Sequence, residues 1–382
     1  MPAKTFLVTA CLAVLIFLAC KKGTDTVPAD PWADYLDLPA TPYNYASPNL
    51  PAYLTTPAVQ GQIAPNNATV TDWGATLGRA LFYDKNLSFN KSISCASCHK
   101  QENAFSDNAV LSLGFNGGTT GRHSMSLIDA KYYPPGRYFW DQRAASLEEQ
   151  VLTPVQDHVE MGMTLAELET RLKALPYYPS LFTKAFGDAN ITSNRTAQAL
   201  AQFVRSIVSY QSKYDVGRQA FPPAPGPAPN TPFANFTAQE NRGKELFLTA
   251  QTGCVACHGS ETFTAPTEKN NGLDAVNTDR GFGAVTGNAA QDGLFKVGSL
   301  RNVELTAPYM HDGRFTTLEQ VIEHYSTGVM NNPNLSQQLR QPNNQPRQLN
   351  LSAQDKSALV AFLKTLTDRT VTTDVKFTNP FR

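Results

Sequence analysis

The chain carries two copies of one short motif, Cys95-Ala96-Ser97-Cys98-His99 and Cys254-Val255-Ala256-Cys257-His258. The other two cysteines, Cys11 and Cys20, lie near the N-terminus, so the body of the chain has no pair left for a structural disulfide. A Cys-x-x-Cys-His motif is typical of a covalently attached c-type haem, whose vinyl groups form thioethers with both sulfurs. The histidine then supplies the proximal nitrogen to the iron. The sequence therefore predicts two haems c.

Two other uses of Cys-x-x-Cys pairs explain the motifs less well. A zinc site needs four ligands, here from two widely separated pairs, and leaves the adjacent histidines without a role. A thioredoxin-like redox pair needs a βαβ context, and period-two strand signals are weak throughout the chain. We predict two iron ligands, His99 and His258. The predicted haem-attachment residues are Cys95, Cys98, Cys254 and Cys257.

The rest of the chain has mostly helical patterns, which predict a mostly α fold. Thr164 with Glu167 and Thr237 with Glu240 have the spacing of capping boxes. Apolar residues recur at helical spacing in three further stretches. These residues are Leu165, Leu168, Leu172 and Leu175; Leu200, Phe203, Val204, Ile207 and Val208; and Leu359, Val360, Leu363 and Leu366.

A second short repeat suggests that a module is duplicated. Gly78-Arg79-Ala80-Leu81-Phe82 precedes the first cysteine pair, and Gly243-Lys244-Glu245-Leu246-Phe247 precedes the second. We therefore expect two cytochrome c-like haem domains with long loops. The predicted segments are a signal peptide (1–19), a tether and arm (20–57), an N-terminal haem domain (58–220), a Pro-rich linker (221–232) and a C-terminal haem domain (233–382).

Length and composition narrow the class of protein. The 382 residues suffice for two domains, and 41% apolar against 17% charged residues can form packed cores. With 32 Lys+Arg against 32 Asp+Glu the formal net charge is zero, so nothing supports nucleic-acid binding.

The N-terminus resembles an export signal. Lys4 precedes an apolar run over residues 6–19, which is short for a membrane span. The run ends in Leu18-Ala19-Cys20, which resembles a lipoprotein cleavage box with Cys20 as the lipidated residue. An ordinary signal peptide is the alternative. We expect a periplasmic protein that is anchored to a membrane through Cys20.

Over nearly all of residues 60–370 the chain resembles the bacterial dihaem cytochrome c peroxidases and the related MauG enzymes, which oxidise protein side chains. One departure is Gln142, where the family usually has glycine. The matching segments are Phe105-Ser106-Asp107, Phe139-Trp140-Asp141-Gln142-Arg143, Leu147-Glu148-Glu149-Gln150, Val159-Glu160-Met161, Pro308-Tyr309-Met310-His311-Asp312-Gly313 and Thr317-Leu318-Glu319.

The resemblance implies a peroxidatic N-terminal domain and an electron-transfer C-terminal domain, and it also implies roles for individual residues. Glu160 is the expected general acid/base for peroxide cleavage, and Gln150 orients peroxide or water beside it. Trp140 lies near the path between the haems. Arg143 and Arg301 are candidate partners of haem propionates, because a guanidinium suits carboxylates.

The resemblance also bears on the remaining iron ligands. Phe115 stands where many relatives have a mobile-loop histidine, which predicts an open first haem, with His123 as the rival ligand. For the second haem we expect Tyr325 as sixth ligand, with Met330 and His324 as alternatives.

Calcium between the domains is a family feature, and Thr306 and Pro308 match its carbonyl ligands. The matching asparagine position is His123, a poor calcium ligand. His311 is expected to support a propionate or to orient the interface.

The leading functional hypothesis is a dihaem peroxidase that reduces hydrogen peroxide to water. Its expected electron donor is a small cytochrome c, a cupredoxin or a quinol, and a homodimer is a candidate state. The alternatives are MauG-like oxidation of Trp or Tyr side chains in a partner protein, and a non-catalytic electron carrier or peroxide sensor.

Overall fold

A computed structural model describes residues 1–2, 30–64 and 69–382. The apolar run over residues 6–19, Cys11 and Cys20 lie outside these ranges. The described part is mostly helical, as predicted, and it contains isolated β-bridges but no sheet. Within it, no helix combines the length and apolar character needed to cross a membrane.

The α-helices before the Pro-rich segment build the first half of the molecule. They are α1 (Pro57–Gln60), α2 (Asp72–Tyr83), α3 (Cys95–Cys98), α4 (Leu147–Gln156), α5 (Leu165–Ala174), α6 (Tyr178–Phe186), α7 (Ser193–Ser206) and α8 (Lys213–Arg218). The helices of the second half are α9 (Ala238–Leu248), α10 (Val255–His258), α11 (Phe282–Thr286), α12 (Leu318–Glu323), α13 (Ala353–Lys364) and α14 (Arg369–Thr373). A π-helix, His324–Gly328, continues α12.

Side-chain caps fix where several helices begin. Both predicted capping boxes are confirmed, with Thr164 and Glu167 at α5 and Thr237 and Glu240 at α9. In each box the threonine hydroxyl accepts the N3 backbone N–H, and the glutamate accepts from the threonine backbone N–H.

The repeated glycine motif makes the same helix crossing in both halves. Gly78 of α2 faces α7, where a Cβ atom on the glycine would lie 2.0 Å from the carbonyl oxygen of Ala199. Gly243 of α9 faces α13 in the same way, with 1.9 Å to the carbonyl oxygen of Ala358. Only a residue without a Cβ permits this approach of two helix backbones. The duplicated motif therefore corresponds to a duplicated packing contact.

Two main hydrophobic cores lie on either side of the Pro-rich segment. The first is built on α2 and α7, and the second on α9 and α13. The linker itself is held by cations, because Arg218 donates to the Pro222 and Pro223 carbonyls and Lys244 to that of Pro229.

The arm and the C-terminal end of the chain both pack on the first core. Trp32 and Leu36 of the arm belong to it, and Leu36 bridges to Phe381. Val371 and Phe377, which the predicted boundaries assign to the C-terminal domain, are also part of the first core. Their apolar side chains fill space beside α2, to which Arg79 ties them through the Thr378 carbonyl (2.9 Å). No local pattern in the sequence marks this return.

Candidate functional site

The first Cys-x-x-Cys-His motif lies on the wall of a cavity of about 500 Å³, here called the N-terminal cavity. Cys95 and Cys98 open and close the one-turn helix α3, so their side chains lie on one face. His99 follows at once, and all three side chains line the cavity.

The second motif lines a cavity of about 280 Å³, here called the C-terminal cavity. Cys254 is the residue before α10, and Cys257 and His258 lie within that helix. None of these four cysteines forms a disulfide. Each cavity thus presents two thiols and one imidazole, the groups that a c-type haem needs.

Both histidine rings are oriented by the same backbone contact. Nδ1 of His99 donates to the Phe105 carbonyl (3.0 Å), and Nδ1 of His258 donates to the Phe263 carbonyl (2.9 Å). A carbonyl only accepts, so Nδ1 carries the hydrogen and Nε2 keeps its lone pair for a metal. The two phenylalanines share a positive φ, 57° and 55°. In the sequence, a phenylalanine follows each histidine by five or six residues, and this repeat could have predicted the shared contact.

Gln150 and Glu160, the predicted catalytic pair, both line the N-terminal cavity with the haem-binding motif. Gln150 lies on α4, and Glu160 lies in the turn beyond it. Asp157 holds that turn, because its carboxylate accepts the backbone N–H groups of Val159 (2.7 Å) and Glu160 (3.1 Å). The structure therefore brings both side chains to the predicted cavity.

The Glu160 carboxyl has an unusual environment. Burial raises its pKa from 4.5 to about 7, the negative charge of Asp157 adds to the rise, and Arg143 opposes it. No described residue donates a hydrogen bond to its carboxylate oxygens. Such a carboxyl can exchange a proton near neutral pH.

Phe115 does not point into the N-terminal cavity. Its ring packs against Phe89, with 5.9 Å between centroids, and against the space left by Gly162, where a Cβ would lie 2.5 Å away. Leu113 of the same loop lines the cavity instead. The rival ligand His123 lines the cavity, but its Nδ1 is bonded to the Ala109 carbonyl (3.0 Å).

Of the three predicted sixth ligands of the second haem, Tyr325 is the one that lines the C-terminal cavity. It lies on the π-helix, an element that often occurs at functional sites. Burial raises its pKa to about 12, and a hydrogen bond with Asn271 opposes the rise. His324 points to the Asn271 carbonyl (3.0 Å), and the Met330 side chain is solvent-exposed.

The two cavities share part of their wall. Trp140 belongs to this shared wall, where its Nε1 donates to the His123 carbonyl (2.8 Å). Its ring lies 6.5 Å from that of His311, which stacks on Phe295 at 3.9 Å. The residues that line both cavities are His123, Ser124, Met125, Ser126, Trp140, Lys296, Gly298 and Ser299.

The two candidate arginines have different environments. Arg143 lines the N-terminal cavity and pairs with Asp141 (3.0 Å). Arg301 lines neither cavity, and this prediction needs correction. Its buried guanidinium donates to Asp215 (2.7 Å) and to the Glu261 carbonyl (2.8 Å), whereas its Nε has no hydrogen-bond partner among the described residues.

Thr306 and Pro308 line the C-terminal cavity. Burial lowers the pKa of His123, and a hydrogen bond with the Thr306 backbone is one of the contacts that oppose this effect. Across residues 30–64 and 69–382, no group of three or more His, Cys, Asp or Glu side chains could hold a metal ion. Calcium binding stays a prediction.

Gln142 shows how the departure from glycine is accommodated. Its φ is +58°, a conformation that favours glycine, and its side chain is buried. The amide oxygen accepts from the Tyr133 hydroxyl (2.9 Å), and the amide nitrogen donates to Glu268 (3.1 Å). These bonds compensate the backbone strain and fix Tyr133, a cavity residue that sequence reasoning missed.

The comparisons with known proteins agree with this geometry. The family model "Di-haem cytochrome c peroxidase" matches residues 73–219. The chain is 32% identical to the methylamine utilization protein MauG of Methylophilus methylotrophus, over 79% of this chain and 85% of the relative. It is 33% identical to the cytochrome c551 peroxidase of Nitrosomonas europaea, over 80% of this chain and 82% of the relative.

Among solved structures, the chain is similar to a MauG-like protein associated with microbial copper homeostasis. The TM-score is 0.73 at 32% identity, and the match covers 87% of this chain and 99% of that one. The two cavities with their haem-binding motifs and the identity to relatives over most of their length together identify the family of this chain. The chain belongs to the family of di-haem cytochrome c peroxidases and MauG proteins, whose members carry two haems c.

Proposed function

We propose that the protein reduces hydrogen peroxide to water at the N-terminal cavity, with electrons from a small redox protein or a quinol. The observation that carries this proposal is that Glu160 and Gln150 line the same cavity as His99. The similarity to cytochrome c peroxidases supports it.

The proposed reaction consumes H2O2, two electrons and two protons and yields two waters. A haem held by Cys95, Cys98 and His99 would supply the redox-active iron. Glu160 accepts the proton from one peroxide oxygen and returns it to the oxygen that leaves as water. Its pKa of about 7 suits both steps. Gln150 donates an amide hydrogen that orients peroxide beside the carboxylate.

We further propose that electrons cross between the cavities through Trp140. Its indole lies at the shared wall, and the hydrogen bond to the His123 carbonyl fixes the ring there. Under this proposal the donor, a cytochrome c or a cupredoxin in the simplest case, delivers its electrons to the side of the C-terminal cavity.

The test is a stopped-flow absorbance record of the oxidised protein mixed with hydrogen peroxide, with and without a reduced small cytochrome c. We expect fast peroxide consumption coupled to cytochrome oxidation, and a loss of roughly 100- to 10,000-fold in Glu160→Gln. Glu102→Gln, an exposed carboxylate outside the cavities, is the matched control. Equal rates in both variants would remove Glu160 from the mechanism.

MauG-like oxidation of Trp or Tyr side chains is the second candidate. The position of Tyr325 in the C-terminal cavity and the identity to MauG proteins favour it. In the same record, this function predicts a spectral change that persists in the presence of reduced cytochrome and decays when an oxidisable protein is added. A protein that shows no reaction with peroxide would instead be an electron carrier or a sensor.

We also propose that the protein is exported and anchored by a lipid on Cys20. Membrane fractionation of the full chain tests this proposal. We expect wild type in the membrane fraction and Cys20→Ala outside it, whereas equal distribution of the two would exclude the anchor. The candidate homodimer is measured on the same preparation by light scattering.

A further inference from the structure

A half-buried lysine lies at the wall that separates the two cavities. Lys296 lines both of them. Its backbone N–H donates to the Trp140 carbonyl (2.8 Å), which fixes the start of the side chain. The ammonium lies 4.0 Å from the ring centroid of Tyr133 and 4.7 Å from that of Tyr138, and it makes one long hydrogen bond, 3.4 Å, to the Arg137 carbonyl.

This ammonium has no carboxylate partner among the described residues. None of the ion pairs in that part of the chain includes Lys296. The neighbouring acids have other partners: Glu268 accepts from Gln142, and Asp279 pairs with Arg122. Asp129 faces Arg301. Burial lowers the pKa of Lys296 from 10.5 to about 7, and no negative charge opposes this effect.

A buried cation without an anion is costly, at several kcal/mol for an ammonium removed from water. Two tyrosine faces offset only part of this, since a cation–π contact contributes roughly 0.5–2 kcal/mol. An ammonium in such a place loses its proton readily unless an anion pairs with it. The side chain is also open to the cavities, so the missing anion can reach it from either one.

We propose that Lys296 binds haem propionate, and that it serves the two haems jointly because it lines both cavities. Each haem c carries two propionates, which are ionised at neutral pH and need cationic or hydrogen-bonding partners. Lys296 supplies a positive charge at the one wall that the cavities share. The inference depends on haem content alone and not on the peroxidase reaction.

The proposal has an electrostatic consequence. A positive charge beside a haem stabilises the reduced iron, which carries one positive charge fewer than the oxidised iron. Removing it lowers the reduction potential. Because the ammonium faces both cavities, we expect its removal to lower the reduction potentials of both haems. The fall should exceed the one caused by removing a charge at the protein surface.

The experiment uses the holoprotein with Lys296→Met, which keeps the length of the apolar stem. Spectroelectrochemical titration gives both midpoint potentials, and resonance Raman spectroscopy reports the propionate bending modes. We expect lower potentials and shifted propionate modes in Lys296→Met. Lys296→Arg, which keeps the charge, is expected to restore the wild-type potentials. Lys364→Met, an exposed lysine on α13, is the control and is expected to change neither.

Wild-type potentials and wild-type propionate modes in Lys296→Met would overturn the proposal. If the methionine variant does not accumulate with haem, Lys296→Gln provides the same neutral comparison. Neither measurement requires peroxide, so both would test Lys296 even in a protein that lacked peroxidase activity.

Discussion

Replacing Gly78 by alanine tests the helix crossing on which the first domain is built. The added Cβ would lie 2.0 Å from the Ala199 carbonyl oxygen and 2.8 Å from the Phe203 Cβ. The first distance is about 1.4 Å shorter than the 3.4 Å at which ordinary contact begins. Neither neighbour is the end of a flexible side chain, so α2 and α7 must separate to admit the methyl group.

The magnitude follows from two opposing effects. Overpacking of this kind costs roughly 1–3 kcal/mol, and a clash with backbone places Gly78→Ala near the upper end. Alanine is better than glycine inside a helix by about 1 kcal/mol. We therefore expect a net loss of about 2 kcal/mol in the free energy of unfolding. For a domain of this size that corresponds to a fall in Tm of roughly 4–8 °C.

The assay is calorimetry of the holoprotein, with haem absorbance to follow the first domain. Gly243→Ala should behave alike, since its Cβ would meet the Ala358 carbonyl oxygen at 1.9 Å. Gly61→Ala is the matched control, because Gly61 is exposed, has φ −66° and would have its nearest contact at 3.3 Å. A Tm for Gly78→Ala equal to that of the control would refute the close crossing.

Three further predictions concern the cavities and the buried ion pairs. The raised pKa of Glu160 means that its carboxyl is protonated below about pH 7. Because only the carboxylate accepts a proton, kcat/KM for peroxide should rise through that pH and level off above it. Glu160→Gln should abolish this rise. Tyr325→Phe should change the absorbance spectrum of the resting oxidised protein, and an unchanged spectrum would reject tyrosine ligation. Asp215→Asn removes a buried partner of Arg301, so urea unfolding should show a loss of about 3–5 kcal/mol, whereas a loss below about 1 kcal/mol would contradict this role of the pair.

Local features of this fold were predictable from the sequence. A capping box joins residues three positions apart, so Thr164 with Glu167 specifies the start of α5 without the rest of the protein. The repeated glycine motif indicated a duplication, and the two crossings at Gly78 and Gly243 confirm that the motif has the same structural role twice. The haem-binding motifs are equally local, because the geometry of one helical turn sets the spacing of the cysteines.

Features that depend on distant contacts were not predictable in this way. Arg301 suits a propionate by its chemistry, but Asp215, which is remote in sequence, binds it instead. Lys296 has no distinguishing neighbour in the sequence, and its position between two cavities exists only in the folded chain. The environment of a buried charge depends on which segments of the folded chain exclude water around it. Residues near that charge in the sequence do not show which segments these are.

The return of residues 369–382 to the first core has a consequence for biosynthesis. Phe377 packs against Phe105 and Phe203, with ring centroids 6.1 Å and 6.2 Å apart, so the first domain lacks part of its interior until the last residues have been made. The domain that begins the chain is thus among the last to close. Loss of residues 369–382 would therefore destabilise the first domain, although these residues lie at the opposite end of the sequence.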